Sequence, residues 1–468
     1  MSGREAAIAR AVACLDDGVY EAVLADRIAI PTASQDPTSG PALQAYLEKD
    51  MAPWLRARGY SCEILPNPTG KGGPFLIAER IEDPALPTLL TYGHGDVVPG
   101  LDAGWEEGLS PWQLTRRGDR LYGRGVVDNK GQHTANLMAL EAVRAERGGR
   151  LGYNVRLLME MSEEVGSPGI DEICREHKDR LAADVLIASD GPRLVPETPT
   201  LMLGTRGALN FDLRVRYREG GHHSGNWGGL LANPGIRLAH AIASLVGPTG
   251  QILVPDLVPE CIPDGIKRAL AKCIVGQDGS GPAIDAWWGE PGLTAAEKVL
   301  GWNTFEVLAF STGTPHAPVN AVPPDAFARC QIRYTVDRDV NEFLPAISRH
   351  LREKGFDDVE VVSVKSGAEW YATRMDPEGP WPRLVAASIM ETTGKEAMIM
   401  PNSGGSLPND SFANTLGLPT IYIPHSYTGC SQHAPNEHAL VPLVREGLAI
   451  AAGVFWDLGE TRWPARDS

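Results

Sequence analysis

Several short apolar segments in the first 200 residues end in side chains that can bind a metal or move a proton. The residues at these ends are His94, Asp96, Glu163, Glu164 and Asp190, and Asp128 lies just before a helical segment. Histidine and carboxylate are the ligands that zinc and similar divalent metals accept. So many carboxylates cannot meet without a cation, because their mutual repulsion would raise their pKa values. The pattern predicts a metal site, and two metals that share a bridging carboxylate would satisfy it.

Each of these residues also has a more ordinary explanation when taken alone. A histidine at the end of a strand, such as His94, is usually a hydrogen-bonded polar residue, and an adjacent Glu pair is usually solvated surface. Asp128 could cap the helix that follows it, and Asp190-Gly191 could form a turn. The prediction therefore depends on all of these sites occurring together in one domain.

The surrounding elements predict an α/β domain with a mostly parallel sheet. Strand patterns occur at 62–65, 74–80, 88–96, 153–164 and 183–191, and helical spacing occurs at 4–28, 41–58 and 131–147. The carboxyl ends of parallel strands meet at one edge of an open sheet, where ligands bind. We therefore expect the acidic and histidine side chains to lie together at that edge.

The pattern changes after about residue 203. Alternating strands at 209–219 and 328–336, helices at 234–245 and 341–355, and a strand at 359–367 surround a Pro- and Gly-rich stretch at 247–320. Strands with alternating polarity have one solvated face, and helical, α/β character returns from about residue 380. The sequence thus predicts a discontinuous catalytic domain (1–204 and 371–468) and an inserted α+β lid and dimerisation domain (205–370).

Composition excludes several classes of protein. The 468 residues carry a net charge of −16, which argues against binding to nucleic acid or to an anionic membrane. The seven cysteines are scattered without a CxxC pair, which favours a reducing cytoplasm. The N-terminal segment lacks the apolar stretch of a signal peptide, and the apolar segment 448–456 is too short to span a membrane.

Five ordered motifs carry a resemblance to a known family. They are YGHGDVVP, GW…SPW…GRGVVDNKG, EEVGSPG, IASDG and SQHAPNEH. With this order and spacing, the chain resembles, over almost its whole length, the co-catalytic zinc hydrolases of clan MH. This group includes carnosinase-type dipeptidases, glutamate carboxypeptidase, acetylornithine deacetylase and aminoacylase.

The resemblance implies a role for each residue of the predicted metal site. Asp128 would bridge two metals, His94 and Asp190 would bind one of them, and Glu164 and His433 would bind the other. Glu163 would be the general base, and Asp96 would orient His94. His94 and Asp96 are two apart, which on a strand places both side chains on one face, and such a carboxylate fixes the tautomer of a ligating imidazole.

The resemblance also implies roles for residues of the lid domain and of a Gly-rich loop. His223, in a His-His-Ser-Gly segment, would reach the active site of a partner subunit and stabilise the oxyanion there, although the adjacent His222 is an alternative. Asn320 and Arg333 would bind substrate, with Arg333 gripping its free carboxylate. The same carboxylate would be held by the loop residues Gly404, Gly405 and Ser406. In the sequence that follows, Asp410 replaces an apolar residue, so it either alters the pocket or caps a helix.

The implied protein is a cytoplasmic, homodimeric metallopeptidase with two divalent metals, zinc or alternatively manganese or cobalt. It would cleave dipeptides or small peptides with a free C-terminal carboxylate, through a hydroxide bridging the metals and Glu163 as general base. The alternative is an N-acyl- or N-carbamoyl-amino-acid hydrolase that uses the same site. The long insertion between Asn233 and Asn320, which are 87 positions apart, favours the dipeptidase branch by analogy of fold.

Overall fold

The computed structural model describes residues 3–276, 282–364 and 370–464. The helices are α1 (Gly3–Asp16), α2 (Val19–Ile28), α3 (Gly40–Ala45), α4 (Ala52–Arg56), α5 (Lys130–Glu146), α6 (Ile170–Glu176), α7 (Lys178–Leu181), α8 (Ser224–Trp227), α9 (Pro234–Leu245), α10 (Asp264–Leu270), α11 (Ala295–Leu300), α12 (Phe343–Glu353), α13 (Pro380–Thr393) and α14 (Val441–Leu458). Among these described residues, no helix is both long and apolar enough to cross a bilayer.

The strands fall into one large sheet, one medium sheet and several short ladders. In chain order they are β1 (Ser61–Leu65), β2 (Phe75–Arg80), β3 (Thr88–His94), β4 (Thr115–Arg117), β5 (Arg120–Tyr122), β6 (Asn154–Glu160), β7 (Val185–Ala188), β8 (Pro192–Arg193), β9 (Thr200–Met202), β10 (Gly204–Thr205), β11 (Gly207–Arg216), β12 (His222–His223), β13 (Thr304–Thr312), β14 (Ala321–Val322), β15 (Asp325–Tyr334), β16 (Glu360–Ser363), β17 (Thr373–Arg374), β18 (Met398–Met400), β19 (Thr420–Tyr422), β20 (Ser426–Tyr427) and β21 (His438–Leu440).

The large sheet has eight strands in the order β1-β2-β6-β3-β7-β19-β9-β18. The four central strands, β6, β3, β7 and β19, run parallel to one another. Antiparallel pairs occur towards the edges, between β1 and β2, β2 and β6, and β19 and β9. The predicted α/β class with a mostly parallel sheet is confirmed, and the three central parallel strands β6, β3 and β7 end at the same edge.

Both faces of this sheet are covered, which explains its continuous apolar strands. Alternate residues of one strand enter different cores, so that Leu157 and Met159 pack beneath α1, α5 and α14, while Leu158 packs on the other face. The second face is covered by α6, α7, α10 and α11. Helix α5 is buried along most of its length because it lies between the sheet and neighbouring helices.

A second, antiparallel sheet has the order β13-β15-β11-β16 and forms the predicted α+β lid. Helices α9 and α12 pack on this sheet around a separate apolar core. Strand β15 alternates buried and half-buried residues along its length, as its sequence pattern predicts. The strand β13 lies at the edge of this sheet and is mostly exposed.

The chain crosses between the two sheets at β10 and β17, which pair with each other. The boundaries at 204/205 and 370/371 stay a prediction, and 365–369 lie outside the described residues. The segment between the lid strands also contributes to the catalytic domain, since Ile262, Ile266 and Leu300 join the apolar core on the second face of the large sheet.

Three local predictions differ from the structure. The predicted helix at 4–28 is two helices, α1 and α2, separated at Gly18, whose φ of 74° is in the left-handed region that favours glycine. The stretch at 247–320 contains helices α10 and α11, which its Pro and Gly content obscured, and it also contains strand β13. The strand predicted at 359–367 ends at Ser363, and its last three positions lie outside the described residues.

Candidate active site

The predicted metal ligands meet at the carboxyl edge of the central strands. His94 is the last residue of β3, and Asp190 lies two residues after β7. Glu163 and Glu164 form a short 3-10 turn that follows β6. Asp128 lies just before α5, and its side chain caps no helix. The strand order therefore brings together side chains that are almost a hundred residues apart in sequence.

Two groups of ligand atoms share Asp128. The first contains His94, Asp128 and Asp190, and the second contains Asp128, Glu164 and His433, with all the ligand atoms of a group within 4.8 Å of one another. One carboxylate oxygen of Asp128 lies 3.0 Å from His94 Nε2, and the other lies 2.9 Å from His433 Nε2. Asp128 thus has the position of a bridging ligand between two cation sites.

Asp96 connects the histidine of the first group to the turn that carries the glutamates. The hydrogen-bond partner of His94 Nδ1 is the backbone carbonyl of Asp96, at 3.0 Å, and Asp96 Oδ1 lies 3.5 Å away, so the opposite nitrogen, Nε2, faces the metal site. The same carboxylate accepts hydrogen bonds from the backbone N–H groups of Glu163, at 3.0 Å, and Glu164, at 3.1 Å. Asp96 is fully buried, and it therefore fixes both His94 and the glutamate turn.

Glu437 fixes the loop that ends in Asp128. Its carboxylate accepts hydrogen bonds from Arg124 Nη1 at 2.6 Å and from the backbone N–H groups of Gly125 and Val127. The sequence motifs assign no role to Glu437. Glu437 lies 312 positions from Gly125 in the sequence, so no local pattern indicates this contact, although a buried loop needs acceptors for its backbone N–H groups.

The donor set fits divalent cations. Glu164 Oε1 and Asp190 Oδ2 are buried and have no hydrogen-bond partner among the described residues. Burial raises the pKa of Glu164 to about 7 and that of Asp190 to about 6, with the carboxylate of Asp128 adding to both. Buried carboxylates with unpaired oxygens are stabilised by a bound cation, and His with carboxylate is a ligand set that zinc accepts.

Glu163 lies beside the two groups but belongs to neither. Burial raises its pKa well above the usual value, and the neighbouring carboxylates of Asp190 and Glu164 act in the same direction. Glu163 also lines the cavity above the metal site. A carboxylate that faces the cavity and binds no metal is available to accept and return a proton.

The cavity has a volume of about 650 Å³ and extends from the predicted metal site to an end that contains the predicted substrate-binding residues. That end contains Arg333, Gly404, Gly405 and Ser406, all of which line the cavity. Arg333 Nη1 donates to Ser406 Oγ at 2.8 Å, so a lid strand contacts the Gly-rich loop of the catalytic domain. The structure thus brings these four predicted substrate residues together with the metal site.

His223 and Asn320 lie elsewhere, on the outer part of the lid. The two-residue strands β12 and β14 pair beside them, and Ser224 N donates to the carbonyl of Asn320 at 2.9 Å. His223 is exposed, and its Nδ1 accepts a hydrogen bond from Gly225 N. Neither residue, nor His222, is among the described residues that line the cavity.

Two further residues, Asp410 and His438, belong to neither ligand group. The side chain of Asp410 neither lines this cavity nor caps the π-helical turn Ser411–Thr415 that follows it. His438 hydrogen-bonds to Tyr427 Oη at 2.8 Å and to the carbonyl of Asn436, which removes it from the metal site. His433, as predicted, is the histidine that contacts Asp128 and Glu164.

This fold and this site define a metal-dependent hydrolase. The chain belongs to the family described as Peptidase family M20/M25/M40, whose model matches residues 90–457. The resemblance inferred from the five sequence motifs is therefore confirmed, and so is the predicted class of enzyme.

Known relatives and solved structures agree with this assignment. The chain is 37% identical over 432 residues to the Beta-Ala-His dipeptidase of Homo sapiens, covering 88% of this chain and 81% of that protein. The match to the Beta-Ala-His dipeptidase of Mus musculus, also 37% identical, covers 41% of this chain and only 39% of that protein. An M20 family metallo-carboxypeptidase from Sulfolobus solfataricus has the same fold, with a TM-score of 0.77, 24% identity, and coverage of 94% of this chain and 99% of that one.

Proposed function

We propose that this protein is a dipeptidase that binds two divalent metal ions, most favourably zinc, and hydrolyses dipeptides with a free C-terminal carboxylate. One observation supports the proposal most directly: a single cavity is lined at one end by members of both ligand groups, including the shared Asp128, and at the other end by Arg333 and Ser406, here called the anion grip. The dipeptidase names of the relatives support this activity, and these relatives do not favour the N-acyl- or N-carbamoyl-amino-acid alternative.

The residues of the site have separate roles in the proposed hydrolysis. Arg333 and the backbone of Gly404 and Gly405 hold the substrate carboxylate, which directs the scissile amide toward Asp128 and Glu163. Bound divalent cations would polarise the amide carbonyl and lower the pKa of the attacking water. Glu163 accepts a proton from that water and returns it to the leaving amine.

The function is tested by metal analysis together with a substrate panel. We expect about two metal ions per chain, and dipeptide hydrolysis that a chelator abolishes and that zinc, manganese or cobalt restores. The panel pairs each dipeptide with N-acetyl and N-carbamoyl derivatives of the same C-terminal amino acid. Turnover of the acyl or carbamoyl compounds alone would move the protein to the alternative, and an absence of metal and activity after add-back would contradict both.

The proposal includes a homodimer formed through the lid. Strand β13 is an edge strand with exposed Val307, Leu308 and Phe310 side chains, and Leu230, near the His223 segment, is 77% exposed. An exposed apolar edge strand is a template for pairing with another chain. A second copy on this face would cover these side chains and carry His223 toward the partner's cavity. The scattered, unpaired cysteines support the reducing cytoplasm as the compartment.

A mixed-dimer experiment tests the role of His223. His223→Ala and Glu163→Gln homodimers should each lose activity by at least about a hundredfold. If His223 acts across the dimer, a mixed dimer has one site with both residues intact. Co-refolding the two variants in equal amounts should therefore restore about a quarter of the wild-type activity.

The matched control replaces His223→Ala by His222→Ala in the same mixture. If His222 is the residue that acts in trans, the mixture of His222→Ala and Glu163→Gln should regain activity instead. Two inactive homodimers that never complement, or a fully active monomer in sedimentation analysis, would contradict the proposed role.

A further inference from the structure

A row of apolar side chains, called the apolar wall below, lines the cavity between the metal site and the anion grip. Met202, Val299, Leu300 and Met400 line the cavity between these two ends, together with Leu194 and Leu407. Most of these side chains also contact the apolar core on the second face of the large sheet, which holds the wall in place. The lid strands contribute none of these six residues, and five of the six pack in or against the apolar core on the second face of the large sheet.

Close approaches to two glycines locate the ends of this wall. A Cβ on Gly191, the residue after Asp190, would lie 3.1 Å from the terminal methyl of Met202. A Cβ on Gly404 would lie 3.0 Å from Val299 Cγ1. Met202 therefore lies beside the first ligand group, and Val299 lies beside the carboxylate-binding loop.

Strand pairing places Met400 on the same wall. Met400 pairs with Met202 across the ladder between β18 and β9, and it lies four positions before Gly404, the first residue of the Gly-rich loop. Its side chain is 2% exposed, like that of Met202, and both line the cavity. The wall is thus continuous from the ligand groups to the anion grip.

Few charged side chains line the cavity between the metal site and the anion grip. Among the described residues that line the cavity, Arg333 is the one lysine or arginine, and every carboxylate belongs to the metal site or is Glu163. Arg206 lies behind the loop, where its guanidinium donates to the carbonyl of Gly404 at 3.1 Å. No charged group is therefore left to pair with a charged side chain between the scissile bond and the substrate carboxylate.

We infer that the enzyme selects dipeptides whose C-terminal residue has a bulky apolar side chain, and that Met202, Val299, Leu300 and Met400 determine this selectivity. The inference rests on the proposed function, since that function places the substrate carboxylate at Arg333 and the scissile amide at Asp128. The C-terminal side chain then lies between these two points and contacts the wall. Apolar contact favours leucine or phenylalanine there, whereas a charged side chain would lose its hydration without gaining a partner.

The test compares dipeptides with one N-terminal residue and different C-terminal residues. For Ala-Leu, Ala-Phe, Ala-Gly, Ala-Lys and Ala-Asp, we expect kcat/KM for Ala-Leu and Ala-Phe to exceed that for Ala-Gly by at least about tenfold. The values for Ala-Lys and Ala-Asp should be lower still. Beta-Ala-His and beta-Ala-Leu are added because relatives are named Beta-Ala-His dipeptidase. We expect beta-Ala-His to be cleaved less well than beta-Ala-Leu.

Two variants of the apolar wall test whether its residues determine the preference for an apolar C-terminal residue. Val299→Thr keeps the shape of a partly exposed side chain and should lower the Ala-Leu to Ala-Gly ratio about threefold or more. Met202→Ala should lower the ratio further, and a melting curve shows whether the variant is folded. Met390→Ala, an exposed methionine of α13 remote from the cavity, should leave the ratio unchanged.

The outcomes separate this inference from the proposed function. Hydrolysis of all five dipeptides at similar rates, or a preference for Ala-Lys or Ala-Asp, would overturn the inference and leave the dipeptidase intact. A leucine preference that Val299→Thr does not alter would overturn the assignment to the wall. Failure to cleave any dipeptide would instead overturn the proposed function.

Discussion

Glu163→Gln should lower kcat for dipeptide hydrolysis by about 10²–10⁴-fold, the range that general acid–base catalysis contributes. Glutamine has the shape of glutamate but cannot accept a proton at neutral pH. Glu163 belongs to neither ligand group, and its backbone N–H, rather than its side chain, is bonded to Asp96. The metal content should therefore stay at the wild-type value and KM should change little.

Steady-state kinetics and metal analysis on the same preparation check this prediction. Glu176→Gln, an exposed glutamate on the nearby helix α6, is the matched control and should behave as wild type. Turnover at the wild-type rate in Glu163→Gln would remove this residue from the mechanism. A variant that loses its metals along with its activity would make Glu163 a ligand rather than the base.

Asp128→Ala should weaken metal binding at both sites, because both ligand groups include this carboxylate. Loss of a residue that only supports a ligand costs about 10–100-fold in metal affinity, so loss of a shared ligand should cost at least as much at each site. Asp190→Ala and Glu164→Ala remove a ligand from one group only. We expect each of these variants to keep one ion under conditions where Asp128→Ala keeps none.

Metal titration by calorimetry, with zinc and then with manganese, distinguishes these cases. Asp119→Ala, which removes an exposed carboxylate on the surface loop before β5, serves as the control and should bind both ions. Two ions retained at wild-type affinity in Asp128→Ala would contradict the bridging position. Loss of both ions in Asp190→Ala would show that the two groups do not bind independently.

The residues at the strand ends could be predicted from sequence because their positions follow from regular elements. His94 and Asp190 follow apolar strands, and parallel strands bring their carboxyl ends to one edge. His433 has no such signal: it lies in a loop with a φ of 61°, and its side chain is 52% exposed. Only the resemblance to a family could assign it, because no periodic element precedes it.

Other features could not be predicted from local patterns. Met202 and Met400 are apolar strand residues, which a sequence pattern cannot distinguish from ordinary core, and only the pairing of β9 with β18 places them on a cavity. Strand β13 was missed because its exposed apolar residues break the alternation of a half-buried strand. The side of the lid on which His223 lies depends on tertiary packing, which local spacing does not encode.

The two acceptor oxygens of Asp96 have a consequence for how this site can be altered. Asp96 contacts the imidazole of His94 through its backbone carbonyl, at 3.0 Å, and its carboxylate, at 3.5 Å. The same carboxylate accepts hydrogen bonds from the backbone of both glutamates, so metal affinity and the placement of the proton acceptor depend on one residue. A substitution that displaces Asp96 in order to change metal affinity will also displace Glu163, the proton acceptor. Substrate preference can therefore change through the apolar wall alone, whereas metal affinity and proton transfer cannot change independently of each other.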